Sequence, residues 1–264
     1  MTYRLIALDM DGTLLDGEGK FPPGFDEILR AAHEQGVVLA PASGRQLGTL
    51  VDMFDGLHGS PDGFIAENGA VVAHEGEIVS TSPMPTGPVH AIIDAALARG
   101  FVPVVCRPLM AHVPADLDAA STAEIDKYYH ATSAEDDLHA IVDGEVVKVA
   151  VYREAVAEAE IYPVLRAAAP GLNVVVSGAN WVDAMDPAVD KGVALRALAR
   201  ALAVKPHETA AFGDYLNDYA LLEAAGTAWA MDNAHPDLKE IADHIAPANT
   251  EHGVAVVLRD LLGL

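Results

Sequence analysis

Residues 5–16, LIALDMDGTLLD, decide how this chain is expected to fold. The stretch begins as an apolar run typical of a buried strand and ends in two acidic residues, Asp9 and Asp11, followed by a Gly-Thr turn. Two carboxylates held this close repel each other, and their burial costs hydration, so they need a positive charge beside them. The stretch therefore predicts a core strand with a cation at its carboxyl end, and the expected cation is a metal ion.

Strand and helix patterns alternate outward from this stretch. Strands are predicted at 5–8, 37–40 and 63–66, with helices at 25–35 and 47–54 between them. The pattern resumes with helix 192–202, strand 209–212, helix 219–225, strand 228–231 and helices at 235–243 and 254–262. Such alternation is typical of right-handed crossovers. The predicted fold class is therefore α/β, with a doubly wound, Rossmann-like parallel sheet and helices on both faces.

The middle of the chain indicates a second unit. A hairpin is predicted at 70–80, turning at Glu75 and Gly76, and the Pro-rich stretch TSPMPTGP at 81–88 is interpreted as a linker. Then follow a helix at 90–99, a strand at 101–106, a polar, strand-poor region, a strand at 146–152, a helix at 155–169 and a last strand at 172–177. We predict a catalytic core of residues 1–83 and 184–264, with residues 84–183 inserted as an α+β domain.

Composition excludes several classes of protein. The 264 residues are 51% hydrophobic, enough for a large core, yet no apolar run approaches the roughly 18 residues that span a bilayer. The start lacks the features of a signal peptide, so the predicted location is the cytoplasm. The net charge of −23 argues against binding nucleic acid or an anionic membrane. A small anionic ligand stays possible because charges are screened over about 8 to 10 Å.

The cysteine count restricts the metal. Cys106 is the only cysteine, so neither a disulfide within the chain nor a cysteine-based metal site can form. Oxygen ligands favour a hard cation such as Mg²⁺. The sequence gives no indication of the oligomeric state.

Polar residues follow four of the predicted strands. Ligands of an open parallel sheet bind beyond the carboxyl ends of its strands, so these residues are expected on one rim. They are Asp9 and Asp11, then Ser43-Gly44-Arg45, then Glu67-Asn68-Gly69, and finally Gly213-Asp214 with Asn217-Asp218. Packing needs alone do not explain this convergence.

Four motifs in this order resemble the haloacid dehalogenase superfamily of phosphatases. They are DMDGT, the ASGR segment, DKG at 190–192 and GDYLND at 213–218. The inserted unit lies between the second and third motifs, as in the Cof-like branch with its large type IIB α/β cap, and AENGA, AMDNA and HGVA also resemble Cof-type segments. The resemblance covers most of the core. The cap is matched only by position and size.

Asp9 and Asp11 are the predicted reacting groups. A carboxylate can be phosphorylated and then hydrolysed, which divides one hard displacement into two easier ones. Asp9 stands directly at the strand end and is the predicted nucleophile. Asp11, two residues on, can give a proton to the leaving alkoxide and later take one from water.

The resemblance implies a magnesium site. Its expected ligands are Asp9, the backbone carbonyl of Asp11, and Asp214, with Asp218 supporting the metal from behind these ligands. Phosphoryl transfer depends mainly on positioning and charge neutralisation, which such an ion supplies. Thr13 is expected to hydrogen-bond the turn of its own motif and so to steady Asp9.

The remaining core residues fit a phosphate group. Ser43 offers a hydroxyl, with the N–H groups that follow it at Gly44, and Lys191 offers a positive charge to Asp9 and the transferring group. By resemblance Asn217 also faces the phosphate. Taken singly, Ser43 and Asn217 would more often be caps and Lys191 a surface lysine, but their occurrence together favours the phosphate site. Arg45 could contact the substrate or pair with a nearby acid, and both alternatives stay open.

The cap offers polar candidates for substrate selection, although each is also explained as an ordinary exposed residue: Arg107, His112, Tyr128, Tyr129, His130 and Lys148. The resemblance implies hydrolysis of small phosphorylated metabolites, such as sugar phosphates, with Mg²⁺ as cofactor. A phosphomutase of the same fold is the alternative from the transferase class. A relative that binds metabolites without turnover should have lost one of four core residues, all of which this sequence retains: Asp9, Asp11, Lys191 and Asp214. The residues do not identify the substrate.

Overall fold

A computed structural model describes residues 3–264 and divides the chain into two units. The first unit comprises the chain up to Gly44, Leu50–Ser80 and Asp190–Leu264, and the second comprises Arg45–Thr49 and Thr81–Val189. The strands are β1 (Leu5–Asp9), β2 (Val38–Ala42), β3 (Gly63–Ala66), β4 (Val71–His74), β5 (Glu77–Thr81), β6 (Val102–Cys106), β7 (Ala111–Pro114), β8 (Thr132–Glu135), β9 (Lys148–Tyr152), β10 (Asn173–Val176), β11 (Trp181–Met185), β12 (Thr209–Gly213), β13 (Thr227–Met231) and β14 (His244–Ala246). The helices are α1 (Phe25–Glu34), α2 (Leu47–Asp52), α3 (Thr86–Leu97), α4 (Ala119–Ile125), α5 (Tyr162–Ala168), α6 (Lys191–Ala201), α7 (Tyr219–Ala224), α8 (Pro236–Ile241) and α9 (Gly253–Leu262).

The first unit is built on one mixed sheet with the order β14-β13-β12-β1-β2-β3-β4-β5. The strands from β14 to β3 run parallel, and β3 pairs antiparallel with β4. All five residues of β1 are buried, because it lies between β2 and β12 in the middle of the sheet. The predicted α/β class with a parallel sheet is confirmed, and the sheet also has a short edge strand, β14, that the sequence analysis did not predict.

The parallel register brings the strand ends to one rim. Asp9, the last residue of β1, pairs with Ala42, the last residue of β2, and Leu8 pairs with Phe212 of β12. Residues that follow these three strands therefore come out beside one another. Ser43 is the next residue after β2, and Asp214 is the next after β12.

The first turn of α6 places Lys191. Asp190 precedes the helix in an extended conformation, and its side chain accepts a hydrogen bond of 2.6 Å from the N–H of Val193. An aspartate in this position satisfies one of the unpaired N–H groups of a helix start. The helix therefore begins at Lys191 itself, and Lys191 is buried against the sheet rather than exposed on a later turn.

The second unit has its own sheet, in the order β10-β11-β9-β6-β7-β8. Helices α3 and α5 cover it, and a continuous apolar core includes Val89, Ile93, Val149, Leu165 and Val182. The unit also contains Arg45–Thr49. The buried side-chain amide of Gln46 donates to the carbonyl of Ala131 at 2.9 Å and accepts from the N–H of Ala131 at 3.1 Å, which holds this short segment to the unit.

Some elements of the second unit differ from the predicted ones. The region between β6 and β9, which its polar sequence marked as poor in strands, contains β7, α4 and β8. Strand β8 lies at the sheet edge, and none of its side chains is buried, so it lacks the apolar alternation on which strand prediction depends. The predicted helix at 155–169 begins as a π-helical turn, Ala157–Ile161, and continues as α5.

The unit boundaries also differ from the predicted ones. Residues 81–83 and 184–189 lie in the second unit, because β11 continues to Met185 and pairs with β9. The sequence analysis did not predict β11, so it assigned the end of this strand to the core. Among the residues that the structure describes, none of the helices is long and apolar enough to cross a membrane.

Candidate active site

Lys191 bridges two carboxylates at the rim of the first unit. Its ammonium donates to Asp9 Oδ1 at 2.6 Å and to Asp218 Oδ1 at 2.7 Å, and all three side chains are buried. Burial alone would lower the pKa of Lys191, but the charges of Asp9 and Asp218 outweigh it and raise that pKa above its ordinary value. The alternative that Lys191 is a surface lysine is therefore wrong.

Asp218 holds the loop after β12 in place. Its Oδ1 accepts from Lys191, while its Oδ2 accepts from the N–H groups of Asp214 at 3.2 Å and Tyr215 at 3.4 Å. Both oxygens of this fully buried carboxylate are therefore engaged. Asp218 orients Lys191 and the loop that carries Asp214.

The site carries more negative charge than Lys191 balances. Burial, followed by the charge of Asp218, raises the pKa of Asp9 to about 7 despite the neighbouring lysine. Burial and the charge of Asp9 raise the pKa of Asp214 to about 6. A second cation near these carboxylates would therefore stabilise their charged forms.

The donors present fit a hard divalent cation. Asp9, Asp214 and Asp218 each offer a carboxylate oxygen, and these atoms lie within 4.8 Å of one another. Since Asp218 already uses both oxygens, Asp9 and Asp214 are the better ligands of the three. An all-oxygen set of this kind suits Mg²⁺.

The turn after β1 lies directly against Asp214. The hydroxyl of Thr13 donates to Asp214 Oδ1 at 3.2 Å, whereas the sequence analysis predicted a bond within its own turn. Gly12 has φ +80°, and a Cβ on it would lie 2.3 Å from Asp214 Oδ2. A side chain at Gly12 would displace the carboxylate.

Gly12→Ala is therefore expected to weaken the site, and Gly76→Ala is its matched control. Gly76 has φ +82° and open space around its Cβ position, so an alanine there adds backbone strain of about 1 to 2 kcal/mol but no steric clash. Gly12→Ala bears this strain and the clash with Asp214. We expect it to lose about tenfold or more in kcat/KM for the reaction that the site carries out, while Gly76→Ala keeps the wild-type kcat/KM. Equal kinetic effects of the two substitutions would contradict the described contact.

The predicted phosphate-binding residues follow the neighbouring strands. Ser43 is buried, and its backbone is fixed between Ile65 and Asn68 by hydrogen bonds of 2.9 Å each. Gly44 is half-buried in the first unit, whereas Arg45 belongs to the second unit. Asn217 is exposed on the 3₁₀ turn Leu216–Asp218, and Asp11 is exposed in the turn after β1.

Among the candidates in the inserted unit, Arg107 forms ion pairs with Asp143, at 2.9 Å, and with Glu145. His112 is buried and hydrogen-bonds Glu135 at 2.7 Å, and Lys148 is buried with its ammonium 5.3 Å from the ring centre of Tyr129. His112 and Lys148 are therefore not the ordinary exposed residues of the simpler explanation.

The sequence analysis missed two asparagines at the site. Asn233 hydrogen-bonds the carbonyl of Gly12 at 2.8 Å, and Asn249 hydrogen-bonds the carbonyl of Leu15 at 2.9 Å. Asn233 lies in the AMDNA segment, which was noticed as a resemblance but given no role. No sequence signal marked Asn249.

Comparison with known proteins identifies the class. A family model described as haloacid dehalogenase-like hydrolase matches residues 6–258. The chain is 28% identical to phosphatase YwpJ of Bacillus subtilis, over 98% of this chain and 100% of that one. It is also 28% identical to the 5-amino-6-(5-phospho-D-ribitylamino)uracil phosphatase YbjI of Escherichia coli, covering 99% and 97%. Together with the fold and the acidic site, these matches define a phosphatase.

The chain belongs to the haloacid dehalogenase-like hydrolases, in their Cof-like branch. Its fold matches a solved structure described as the subclass IIB sugar phosphatase BT4131, with a TM-score of 0.76 at 22% identity, over 97% of this chain and 98% of that one. That likeness extends over the inserted unit and supports the predicted cap fold. The resemblance to this superfamily drawn from the four motifs is confirmed.

Proposed function

We propose that the protein is a Mg²⁺-dependent phosphomonoesterase that acts on small phosphorylated metabolites, with sugar phosphates as the first candidates. The observation that carries this proposal is the buried ammonium of Lys191, which bridges Asp9 and Asp218, with a carboxylate oxygen of Asp214 within 4.8 Å of theirs. The pKa values of Asp9 and Asp214 are raised, to about 7 and about 6. This arrangement has the charges needed to bind both a divalent cation and a phosphate group.

In the proposed reaction, the carboxylate of Asp9 attacks phosphorus and forms an aspartyl-phosphate as the alkoxide leaves. Asp11 gives that alkoxide a proton, and then takes one from the water that hydrolyses the intermediate. Lys191 holds Asp9 in place and faces the transferring group with a fixed positive charge. Ser43, the N–H groups around Gly44, and Asn217 are the proposed contacts to the phosphate oxygens.

Asp9, the backbone carbonyl of Asp11, and Asp214 would hold the magnesium ion. When bound, the ion neutralises charge on the phosphate and on the carboxylates that face it. Asp218 and Thr13 act on this set indirectly, because both hydrogen-bond the loop or side chain of Asp214.

The substrate class is supported by the relatives. The substrate in the name of YbjI carries its phosphate on a ribityl chain, which is a sugar alcohol. A further relative, 26% identical over 98% of this chain, is a phosphoglycolate phosphatase from Methanothermobacter thermautotrophicus. Both names describe phosphate esters of small polar alcohols, which is the chemistry we propose here.

The cytoplasmic location predicted from the sequence stays part of this proposal, and cell fractionation tests it.

The first experiment measures inorganic phosphate released from glucose 6-phosphate, ribose 5-phosphate, phosphoglycolate, AMP and 4-nitrophenyl phosphate, with Mg²⁺ or with EDTA. We expect release that requires Mg²⁺, and faster release from the sugar phosphates than from AMP. A rearranged sugar phosphate without free phosphate would instead indicate a mutase. Release that persists in EDTA would contradict the magnesium requirement.

The affinity for Mg²⁺ is expected to fall as the pH falls. Without metal, Asp9 and Asp214 have pKa values of about 7 and about 6, so protons occupy these carboxylates increasingly between pH 8 and pH 6. Because Mg²⁺ binds the deprotonated form, protons compete with it, and the apparent Kd should rise about tenfold over this range. Calorimetric titration at pH 8, 7 and 6 measures this rise, and Asp9→Asn should flatten it. A Kd independent of pH would contradict the raised pKa values.

A further inference from the structure

The turn that carries Asp11 is fixed by backbone bonds at its two ends. The N–H of Leu14 donates to the carbonyl of Asp9 at 3.1 Å, and the N–H of Leu15 donates to the carbonyl of Met10 at 2.9 Å. Asp11 lies between these anchored residues and is exposed. The position of Asp11 therefore depends in part on what holds the carbonyls of Gly12 and Leu15, which follow it in the turn.

Two asparagines hold those carbonyls and each other. Asn233 Nδ2 donates to the carbonyl of Gly12 at 2.8 Å, and Asn249 Nδ2 donates to the carbonyl of Leu15 at 2.9 Å. The N–H of Asn249 donates to Asn233 Oδ1 at 3.0 Å, which links the two. Asn249 is only 7% exposed, so its hydrogen bonds are largely protected from water.

The segment around Asn233 also holds the other acidic loop. The N–H of His235 donates to the carbonyl of Asp214 at 2.8 Å, and the N–H of Asp232 donates to Ala246 of β14 at 2.8 Å. Residues 232–235 are thus tied to the sheet, to Gly12 and to Asp214. They set the distance between the turn with Asp11 and the loop with Asp214.

We propose that Asn233 and Asn249 are positioning residues for the phosphatase reaction. They hold the turn with Asp11 at a fixed position relative to Asp9 and Asp214. The carboxamide of Asn233 donates to a carbonyl with Nδ2 and accepts from an N–H with Oδ1, whereas an ionised carboxylate at this position could only accept. The inference rests on the proposed function, because the acid and base role of Asp11 belongs to that proposal.

The dependence of the rate on the leaving group distinguishes a displaced Asp11 from a loss of folded protein. Alkyl phosphates need a proton for their leaving alkoxide, whereas 4-nitrophenolate leaves without one. A turn displaced by about 1 Å can lower the rate about 10²-fold, and this loss should appear where Asp11 must act as the acid. A general loss of folded protein would instead lower both rates by the same factor.

The test compares Asn233→Ala and Asn249→Ala with the wild type and with a matched control, Asn180→Ala. Asn180 lies in the second unit and hydrogen-bonds the N–H of Ala155, so it tests the same chemical change outside the site. We expect kcat/KM to fall about 10- to 100-fold for the most active sugar phosphate of the panel and less than about threefold for 4-nitrophenyl phosphate. Thermal unfolding of each variant is measured alongside.

Asp11→Asn, assayed in parallel, distinguishes a failure of the positioning role from a failure of the proposed role of Asp11. Suppose that Asp11→Asn shows the leaving-group dependence, but that kcat/KM of the asparagine variants falls equally for both substrates or for neither. The positioning role is then overturned, and the proposed function stands. If Asp11→Asn itself shows no such dependence, the proposed role of Asp11 fails, and the inference fails with it. An effect of Asn180→Ala as large as that of Asn233→Ala would also overturn the inference.

Discussion

Asp9→Asn is expected to lower phosphate release by about 10⁴-fold or more, because it removes the group that we propose forms the covalent intermediate. The amide is nearly the same size as the carboxylate, and its oxygen can still accept the hydrogen bond that Lys191 donates to Asp9 at 2.6 Å. The change therefore removes the proposed nucleophile and metal ligand while the shape of the site is kept. Single-turnover assays with Mg²⁺ measure the loss on the best substrate of the panel.

The same variant is expected to unfold at an equal or higher temperature than the wild type when EDTA is present. Burial raises the pKa of Asp9 to about 7, so its charged form is disfavoured in the folded, metal-free protein. Asp11→Asn is the matched control for stability, since Asp11 is exposed. Full turnover by Asp9→Asn would contradict the proposed nucleophile, and a variant that is inactive because it is unfolded would be recognised by its melting curve.

Lys191→Met is expected to have the largest effect on stability. Lys191 is 2% exposed and pairs with both Asp9 and Asp218, so its removal leaves two buried carboxylates without a cation. Removing one partner of a buried ion pair costs about 3–5 kcal/mol. We expect the free energy of unfolding at pH 8 in EDTA to fall by about that amount, and activity to be lost as well. Urea unfolding measures the change.

The difference in the free energy of unfolding between the wild type and Lys191→Met should become smaller as the pH falls from 8 to 5. In the wild type the pKa of Lys191 is raised above its ordinary value, so the lysine stays charged over this range and adds no pH dependence. In the variant, Asp9 loses the ammonium that lowers its pKa, so this pKa should rise further above its value in the unfolded chain, and protonation of Asp9 on the acid side favours the folded state. The exposed Lys127, paired with Glu124, is the control: Lys127→Met should change stability by less than about 1 kcal/mol. A deficit independent of pH would contradict the described charge cluster.

The sequence predicted the rim of the site well because the rule that places it is simple. Parallel strands deliver their carboxyl ends to the same edge of a sheet, so Asp9, Ser43 and Asp214 could be assigned to one rim from the strand pattern alone. The burial of Lys191 depends on how α6 begins, and its preceding Asp190 gave a local signal for that start. The pairing of Lys191 with Asp218 depends on the conformation of a loop, which the strand pattern does not determine.

The predictions failed where local sequence carries little information about burial. Strand β8 has no buried residue, and β11 follows a short turn that the apolar pattern did not mark. Asn233 and Asn249 could not be assigned because their hydrogen bonds reach Gly12 and Leu15, more than two hundred residues earlier in the chain. Interactions between such distant residues leave no periodic signal in the sequence.

The bond between Lys191 and Asp9 joins residues 182 positions apart, and the chain between them includes the second unit. Contacts of such long range form late in folding, since much of the chain must be ordered before they can close. Once these contacts have formed, their stability depends little on the length of the intervening chain, because each doubling of a flexible connection costs only about 0.6 kcal/mol. The topology thus lets the inserted unit vary in size or be replaced between Ser80 and Asp190, while the bond between Lys191 and Asp9 is kept.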